Sequence, residues 1–402
     1  MSSVTRDRPA VVGGTPVRET FLPFAVPQIG DEEIAAVVDT LRSGWLATGP
    51  RTAEFERAFA EYVEMPHAVG LTSGTAAIGL ALEMAGVGPG DEVVTTPLTY
   101  VATVHEIVHR GATPVLADID ARTFNLAPEA VAQRLTARTR ALLLVHFAGR
   151  PCAMDAFAEI ARRGGLTLVS DSAHAIETRY AGRGLATWFP LSAYSFHPVK
   201  NLMTGEGGMV ATGDGAWAEA LRALRLHGVT SDAWSRRDGT VGPAWDVRRL
   251  GYKCNMSDLQ ASLGLVQLRH LDERLERREA LWAIYDDGLA GVRGVTVPPE
   301  EPAGNRHARH MYNVLIDPQR TGIGRAAFCD ALRRENVGTG HHYPAVHRTT
   351  LYRERLALTD AELPRASSVS DRIVTLPLHP GMSDADARTV VEAVRRIVEY
   401  YG

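Results

Sequence analysis

The stretch DEVVTTPLTYVATVHEIVHRGATPVLAD, residues 91–118, contains two short apolar segments separated by a segment of helical period. DEVVTT at 91–96 and TPVLAD at 113–118 carry β-branched residues and end at polar ones. Between them, YVATVHEIVHRG at 100–111 places its apolar residues on one face of a helix. A strand, a helix and a second strand in this order form the unit of a parallel sheet, so this stretch decides the fold class.

The same alternation continues on both sides of that stretch. Further strands are predicted at ALLLVHF (141–147), LTLVSD (166–171) and GGMVATG (207–213), and further helices at TAAIGLALEMAG (75–86), PEAVAQRLT (128–136) and MDAFAEIARRGG (154–165). We therefore predict an α/β fold with a mostly parallel central sheet sandwiched by helices. Ligands of such sheets bind beyond the carboxyl ends of the strands, so residues that directly follow a strand are the main candidates for a site.

The remainder of the chain predicts a second, smaller unit. Residues 257–290 have the pattern of one or two long helices with a charged outer face. After them come a short apolar run, HMYNVLI, the turn-rich segment GTGHHYPAVHRTT and a terminal amphipathic segment, which together indicate an α+β domain. We predict an N-terminal arm at 1–20, a large domain at 21–262 and a small C-terminal domain at 263–402.

Composition narrows the class of protein. The net charge of −4 shows no basic excess, which argues against a nucleic-acid partner. The three cysteines have neither CxxC spacing nor a disulfide pattern, which favours a reducing compartment. No apolar run approaches the length of about 20 residues that a membrane span needs. We therefore expect a cytoplasmic protein with no membrane partner and with room for a local anion site.

Lysine is rare in this chain. Lys200 and Lys253 are the only two, although lysine and arginine together number 43. Lys200 stands in YSFHPVKNLMTGEGG, between an apolar run and a glycine-rich turn. A loop lysine is usually only a solvated charge, but here the bias against lysine favours a need that arginine cannot meet, namely an amine that loses its proton and attacks a carbonyl.

Two candidate sites follow predicted strands and begin helices. Gly74 and Thr75, in LTSGT, offer free backbone N–H groups at a helix N-terminus, which either bind a phosphate or are simply capped by a serine or threonine. Asp171 ends LTLVSD, and His174 follows it by three residues. That carboxylate either holds a protonated ring nitrogen or caps the next helix, with His174 as a packing residue.

Tyr100 also follows a predicted strand, and Ser195 lies near Lys200 in the sequence. Tyr100 follows TTPLT, where its ring either stacks on an aromatic ligand or packs at the rim of the core. Ser195 lies in the YSF run before Lys200. A phosphate cradle, a stacking ring, a carboxylate for a ring nitrogen and an amine are together what pyridoxal 5'-phosphate (PLP) requires. Metal chemistry is less well supported, because the sequence has neither an HExxH motif nor paired Cys/His spacing. Dinucleotide binding is less well supported, because no GxGxxG motif follows the first strand.

At these residues the sequence resembles the DegT/StrS family of sugar-nucleotide aminotransferases, which use PLP on the aspartate-aminotransferase-like fold, fold type I. The resemblance runs from about residue 21 to 397, and its motifs are SGTAA, DEVVTTPLTYVAT, DSAHA, YSFHPVKN with EGG, and GYKCNMSDLQAS. GYKCNMSDLQAS, VGTGHHYPAVH and LPLHPGMSDADA are most similar to members that act on a UDP-linked 4-keto pentose in the lipid A aminoarabinose pathway.

The resemblance implies roles for individual residues. Lys200 would form the Schiff base with PLP and later move the proton, Asp171 would pair with the pyridine nitrogen, and His174 would bond the ring hydroxyl. The other positions that match cofactor-binding residues are Tyr100, on which the ring stacks; Gly74, Thr75 and Ser195, which bind the phosphate; and Asn255, which reaches the phosphate of a neighbouring subunit. Trp45, Lys253 and His342 are candidates for binding the substrate, although Lys253 equally fits a dimer interface.

The resemblance also implies an activity. An amino acid, L-glutamate in the first place, would donate its amino group to PLP, which would pass it to a keto sugar linked to UDP or TDP, at C4 rather than C3. The protein would act as a homodimer with a shared active site. Three alternatives stay open: an aminotransferase of a keto-cyclitol or of a C3 keto sugar, a lyase or dehydratase, and a non-catalytic sensor on the same fold. Lys200 counts against the dehydratases, and the lack of a DNA-binding segment counts against the sensor.

Overall fold

The computed structural model describes residues 8–230, 234 and 245–402. The first seven residues of the predicted N-terminal arm therefore lie outside the described residues. The large sheet is built from strands β1 (His67–Leu71), β2 (Glu92–Thr95), β3 (Thr113–Leu116), β4 (Thr139–Val145), β5 (Thr167–Asp171), β8 (Leu191–Ser195) and β9 (Gly208–Thr212). A short hairpin, β6 (Arg179–Tyr180) and β7 (Arg183–Gly184), lies apart from it, and a smaller sheet contains β10 (Val295–Thr296), β11 (Tyr312–Ile316) and β12 (Ile373–Leu376).

The order of strands in the large sheet is β1-β9-β8-β5-β4-β2-β3. β9 is antiparallel to both of its neighbours, whereas β8, β5, β4, β2 and β3 pair in parallel. The prediction of a mostly parallel sheet is thus confirmed. β1, β5 and β8 point in the same direction, so Leu71, Asp171 and Ser195 all end at one edge of the sheet.

Helices cover both faces of this sheet. In the first part of the chain they are Asp31–Arg42, Pro50–Tyr62, Gly74–Met84, Ala102–His109, Pro128–Ala132, Met154–Gly164 and Gly215–Leu224. The predicted helix at 128–136 is shorter than expected and ends at Ala132. Helix Gly74–Met84 is buried along Ala77–Leu82, because it lies against the sheet with apolar residues on most sides. β4 is likewise buried almost throughout, as expected for a strand covered on both faces.

The helical stretch at 257–290 consists of two helices, Asp258–Arg269 and Leu271–Leu289, which meet at His270. Ser257 begins the first with a capping box, in which its hydroxyl accepts from the backbone N–H of Gln260. The helices that follow are Pro318–Thr321, Arg325–Arg334, Thr350–Leu356, Pro364–Arg372 and Asp384–Tyr401.

The smaller sheet has a hydrophobic core of its own. Helices Leu271–Leu289 and Asp384–Tyr401 contribute side chains such as Leu281 and Val394 to this core, and Leu22 from the start of the chain joins it. The backbone of Leu22 also pairs with Val337. Residues near the N-terminus therefore pack on the C-terminal unit, while the exact domain boundaries stay a prediction. Among the described residues, none of the helices has both the length and the apolar character of a bilayer span.

Candidate active site

The carboxyl edge of the large sheet brings Lys200 and Asp171 together. Asp171 ends β5, and Lys200 follows β8 by five residues; β5 and β8 are neighbours, with Asp171 opposite Ala193. Burial lowers the pKa of Lys200 to about 8, while the Asp171 carboxylate partly opposes this shift. A pKa near 8 leaves a useful fraction of the amine unprotonated at neutral pH, which an exposed lysine does not provide.

Asp171 is 5% exposed and has defined partners. Its Oδ2 accepts a hydrogen bond from the Thr103 hydroxyl at 2.8 Å, and its Oδ1 accepts one from the backbone N–H of Ala173 at 3.2 Å. Burial raises the pKa of the carboxyl, while these two donors and Lys200 lower it. The carboxylate is thus held in place and has capacity left for a cationic N–H.

His174 lies near Lys200 and is buried, at 6% exposure. Its Nε2 is 3.0 Å from the Tyr343 hydroxyl, whereas its Nδ1 has no hydrogen-bond partner among the described residues. Burial, reinforced by Lys200, keeps the pKa of His174 well below its usual value, so the ring is neutral. An unpartnered buried ring nitrogen of this kind is available to a ligand.

The predicted phosphate turn is built by close backbone packing. Ser73 caps helix Gly74–Met84, its hydroxyl accepting from the N–H of Ala76 at 3.1 Å. A Cβ at Gly74 would lie 2.6 Å from the Cβ of Ser195, and one at Gly208 would lie 2.2 Å from the carbonyl oxygen of Ser73. Only glycine fits at these two positions, because the end of β8 and the start of β9 pass directly beside the helix N-terminus.

Tyr100 and Thr75 are both exposed to solvent. Thr75 is exposed, and the Tyr100 side chain is 62% exposed, with its ring 6.3 Å from that of Tyr343. An exposed aromatic ring has a face available for stacking on a planar ligand.

The three substrate candidates fall into two places. His342 shares a cavity of about 40 Å³ with Lys200 and His310. Its Nδ1 is 2.8 Å from the Thr375 hydroxyl on β12, and burial together with Lys200 lowers its pKa to about 4.

Trp45 and Lys253 instead form a separate group with Asn255. The amide of Asn255 donates to the Thr48 hydroxyl at 2.6 Å and accepts from the Lys253 ammonium at 2.7 Å, while the Trp45 indole N–H donates to the Thr48 carbonyl at 3.1 Å. The backbone of Asn255 pairs with Leu71 at the end of β1. Within the described chain, the residues that line the two cavities beside Lys200 do not include these three.

Sequence reasoning missed three residues of the pocket: Thr103, His310 and Tyr343. His310 stacks on His174, with ring centroids 4.5 Å apart and planes at 25°. Thr103 occupies the first turn of the helix after β2, a position that the rule for strand ends could have flagged. Tyr343 lies in the turn-rich HHYP segment, and His310 stands before β11 without any motif around it.

The residues present fit PLP. Lys200 supplies an amine of lowered pKa, Asp171 a carboxylate with spare acceptor capacity, His174 an unpartnered ring nitrogen, and Gly74 a helix N-terminus packed too closely for any larger residue. These groups match, in order, the aldehyde carbon, the ring nitrogen, the ring oxygen and the phosphate of the cofactor.

Residues 27–395 match the model of the DegT/DnrJ/EryC1/StrS aminotransferase family. The chain belongs to this family. It is accordingly an aminotransferase that depends on PLP, and its fold is fold type I, as the sequence predicted.

Known relatives support this membership over nearly the whole chain. The chain is 43% identical to the spore coat polysaccharide biosynthesis protein SpsC of Bacillus subtilis (strain 168), across 95% of this chain and 98% of that protein. Among solved structures, the PMP-form of Spr1654 from Streptococcus pneumoniae superposes with a TM-score of 0.88 at 33% identity, covering 95% of this chain and 100% of that chain. The same protein was also solved in a PLP-form. DesV of S. venezuelae was solved in complex with a ketimine intermediate. It superposes with a TM-score of 0.85 at 36% identity, covering 94% of this chain and 99% of that chain.

Proposed function

We propose that this family member transfers an amino group from an amino acid, L-glutamate in the first place, to the keto carbon of a UDP- or TDP-linked sugar. The acceptor position is C4 of a 4-keto pentose or of a 4-keto-6-deoxyhexose. The observation that carries the proposal is that Lys200 and Asp171 interact electrostatically beyond the ends of neighbouring strands, where burial lowers the pKa of the lysine to about 8.

When bound, PLP supplies an electron sink that stabilises negative charge on the carbon next to the transferred nitrogen. Lys200 is the group that binds it covalently and that afterwards carries a proton on Nζ between the reacting carbons. This double task requires an amine that is unprotonated part of the time, which the lowered pKa provides. Asp171, oriented by Thr103 and Ala173, binds the ring N–H and keeps that proton in place.

The phosphate is proposed to lie at the start of helix Gly74–Met84. Gly74 and Thr75 present backbone N–H groups there, and the Ser195 hydroxyl lies beside Gly74. The positive end of the helix dipole favours an anion at this place. Tyr100 closes the site from the solvent side by stacking on the ring.

A sugar acceptor is supported by the family resemblance, by the polysaccharide role in the name of SpsC, and by the neutral histidines of the pocket. A neutral imidazole such as His342 both donates to and accepts from hydroxyl groups, which suits a sugar better than a second carboxylate. Trp45, Lys253 and Asn255 lie outside the Lys200 cavity, and we propose that Lys253 meets the diphosphate of the nucleotide.

We further propose a homodimer in which Asn255 binds the phosphate of the PLP held by the neighbouring subunit. Three large apolar side chains that precede it by five to ten residues in the chain are exposed: Leu250 at 93%, Trp245 at 58% and Val247 at 53%. Such exposure is expected if this segment is part of the face that the partner covers.

Borohydride reduction of the holoenzyme tests the covalent role of Lys200. We expect the visible absorption band to bleach and a pyridoxyl group to be found by peptide mass spectrometry on Lys200 alone. A Lys200→Ala protein that keeps the band and still transaminates would overturn the assignment. Mass spectrometry of products from a panel of UDP- and TDP-4-keto sugars, a 3-keto sugar and a keto-inositol then assigns the acceptor; amination of only the keto-inositol would contradict the sugar proposal.

A further inference from the structure

His174 lies between two aromatic side chains that the sequence motifs did not single out. The Tyr343 hydroxyl is 3.0 Å from its Nε2, and the two ring planes are within 11° of parallel. His310 covers one face of the same ring at 4.5 Å. The imidazole is therefore held both along its edge and across its face.

The direction of the hydrogen bond follows from the environment. Burial raises the pKa of the Tyr343 hydroxyl, and the Asp171 charge raises it further, so Tyr343 keeps its proton. His174 is neutral because burial lowers its pKa. A neutral imidazole carries one N–H, so when Tyr343 donates to Nε2, the proton of His174 lies on Nδ1. Nδ1 is the atom without a partner in the described chain.

The covering ring of His310 is itself fixed. The amide nitrogen of Asn201 donates to both carboxylate oxygens of Glu177, at 3.0 and 2.9 Å, and to the carbonyl of Ala308 at 2.8 Å. Its Oδ1 therefore faces Nδ1 of His310, 2.9 Å away, and accepts the N–H. Glu177 is held in turn by a buried ion pair with Arg278. The wall behind His174 thus has one orientation.

We propose that Tyr343 is a positioning residue that sets the tautomer of His174, so that Nδ1–H points as a hydrogen-bond donor at the ionised ring oxygen of PLP. His310 keeps the imidazole in the plane required. The inference rests on the proposed function, because the ring oxygen belongs to a cofactor placed there by Lys200 and Asp171. Without the Tyr343 hydroxyl, His174 is free to carry its proton on Nε2 and to turn a lone pair toward that oxygen.

A spectroscopic titration of the Tyr343→Phe holoenzyme tests this. A donor beside the ring oxygen stabilises its negative charge and makes the conjugated system lose its proton more easily. Removing it should raise the pH midpoint of the visible absorption band by about one unit, the size expected for a hydrogen bond to a charged group. The other titratable groups that face His174 or Tyr343, namely Lys200, Asp171, His310, His342 and Tyr100, are unchanged in this variant.

Tyr285→Phe is the matched control. It removes a buried tyrosine hydroxyl that donates to the Pro377 carbonyl at 2.6 Å in the smaller core. We expect both variants to lose some thermal stability and only Tyr343→Phe to move the midpoint. Equal midpoints in Tyr343→Phe, Tyr285→Phe and wild type would overturn the proposal, because a purely structural role predicts that result.

His310→Asn provides an independent arm if Tyr343→Phe does not accumulate as a folded holoenzyme. Asparagine retains a donor for Asn201 but removes the ring that covers His174, so the midpoint should rise by a smaller amount. An unchanged midpoint in this variant would also contradict the proposal. Failure of the proposed function is distinguishable, since the wild-type protein would then show no band that borohydride attaches to Lys200.

Discussion

The two lysines of this chain lie in opposite environments. Lys200 is partly buried between strands of the large sheet, beside a carboxylate, and its pKa falls to about 8. Lys253 is exposed, and its ammonium donates to the Asn255 side chain at 2.7 Å. Both residues are lysines, so their environments, and not the residue type, account for the lowered pKa that lets the Lys200 amine act as a nucleophile. Desolvation is the larger influence on Lys200, since the attraction of Asp171 opposes the shift without cancelling it.

Substitution by arginine is expected to affect the two lysine positions most differently. Lys200→Arg keeps the positive charge but introduces a group that does not lose its proton at neutral pH, so we expect transamination to fall by more than about a thousandfold. Lys253→Arg keeps an exposed positive charge that donates hydrogen bonds, so the transamination rate of this variant should stay within about threefold of wild type. Steady-state rates of both holoenzymes with the identified keto sugar check this. Equal losses in the two variants would contradict the distinction between the lysines.

The sequence predicted much of what separates the two lysines, because the alternation of strands and helices determines which residues end at one edge of the sheet. Asp171 and Tyr100 are predicted in this way, by their position after apolar runs, whereas the role of Ser195 is predicted only from the family resemblance. The same rule does not predict Tyr343 or His310. Both belong to the C-terminal part of the chain and contact His174, which is distant from them in sequence. Neither periodicity nor spacing reports which loop of one unit meets a strand end of another.

The boundaries of elements were less predictable than their existence. The helix at 128–136 ends early, at Ala132, and the long helical segment divides at His270, where the sequence carries neither glycine nor proline. Tertiary packing decides such ends, since a helix continues only while its apolar face has something to cover. The hydrogen bonds of Asn255 with Lys253 and Thr48 could not be predicted from the sequence either, because side-chain hydrogen bonds leave no periodic pattern in it.

The stability of the apoenzyme gives a second, smaller contrast. Lys200→Met should raise the free energy of unfolding at pH 7 by about 1–2 kcal/mol, because it removes a desolvated cation. The pKa of Lys200 in the folded protein, about 8, lies below the ordinary lysine value of 10.5, so the unfolded chain binds the proton more tightly. Wild-type stability therefore increases as the pH rises from about 8 toward about 10.5, and the advantage of the variant shrinks over that range. Urea unfolding at several pH values measures this; an advantage that grows with pH would contradict it.

The smallest effect is expected at Lys253 itself. Lys253→Gln removes one exposed cation from the group that contains Asn255, and a single surface charge contributes little when water screens it. If Lys253 meets the diphosphate, the KM for the nucleotide sugar rises about three- to tenfold, while kcat and the KM for the amino donor stay unchanged. Added salt should weaken the binding of the sugar to the wild-type enzyme, because it screens the contribution of Lys253. The KM of the variant for the sugar should depend less on salt. A change in the oligomeric state of Lys253→Gln, with an unchanged KM for the sugar, would instead place this lysine at the interface between subunits.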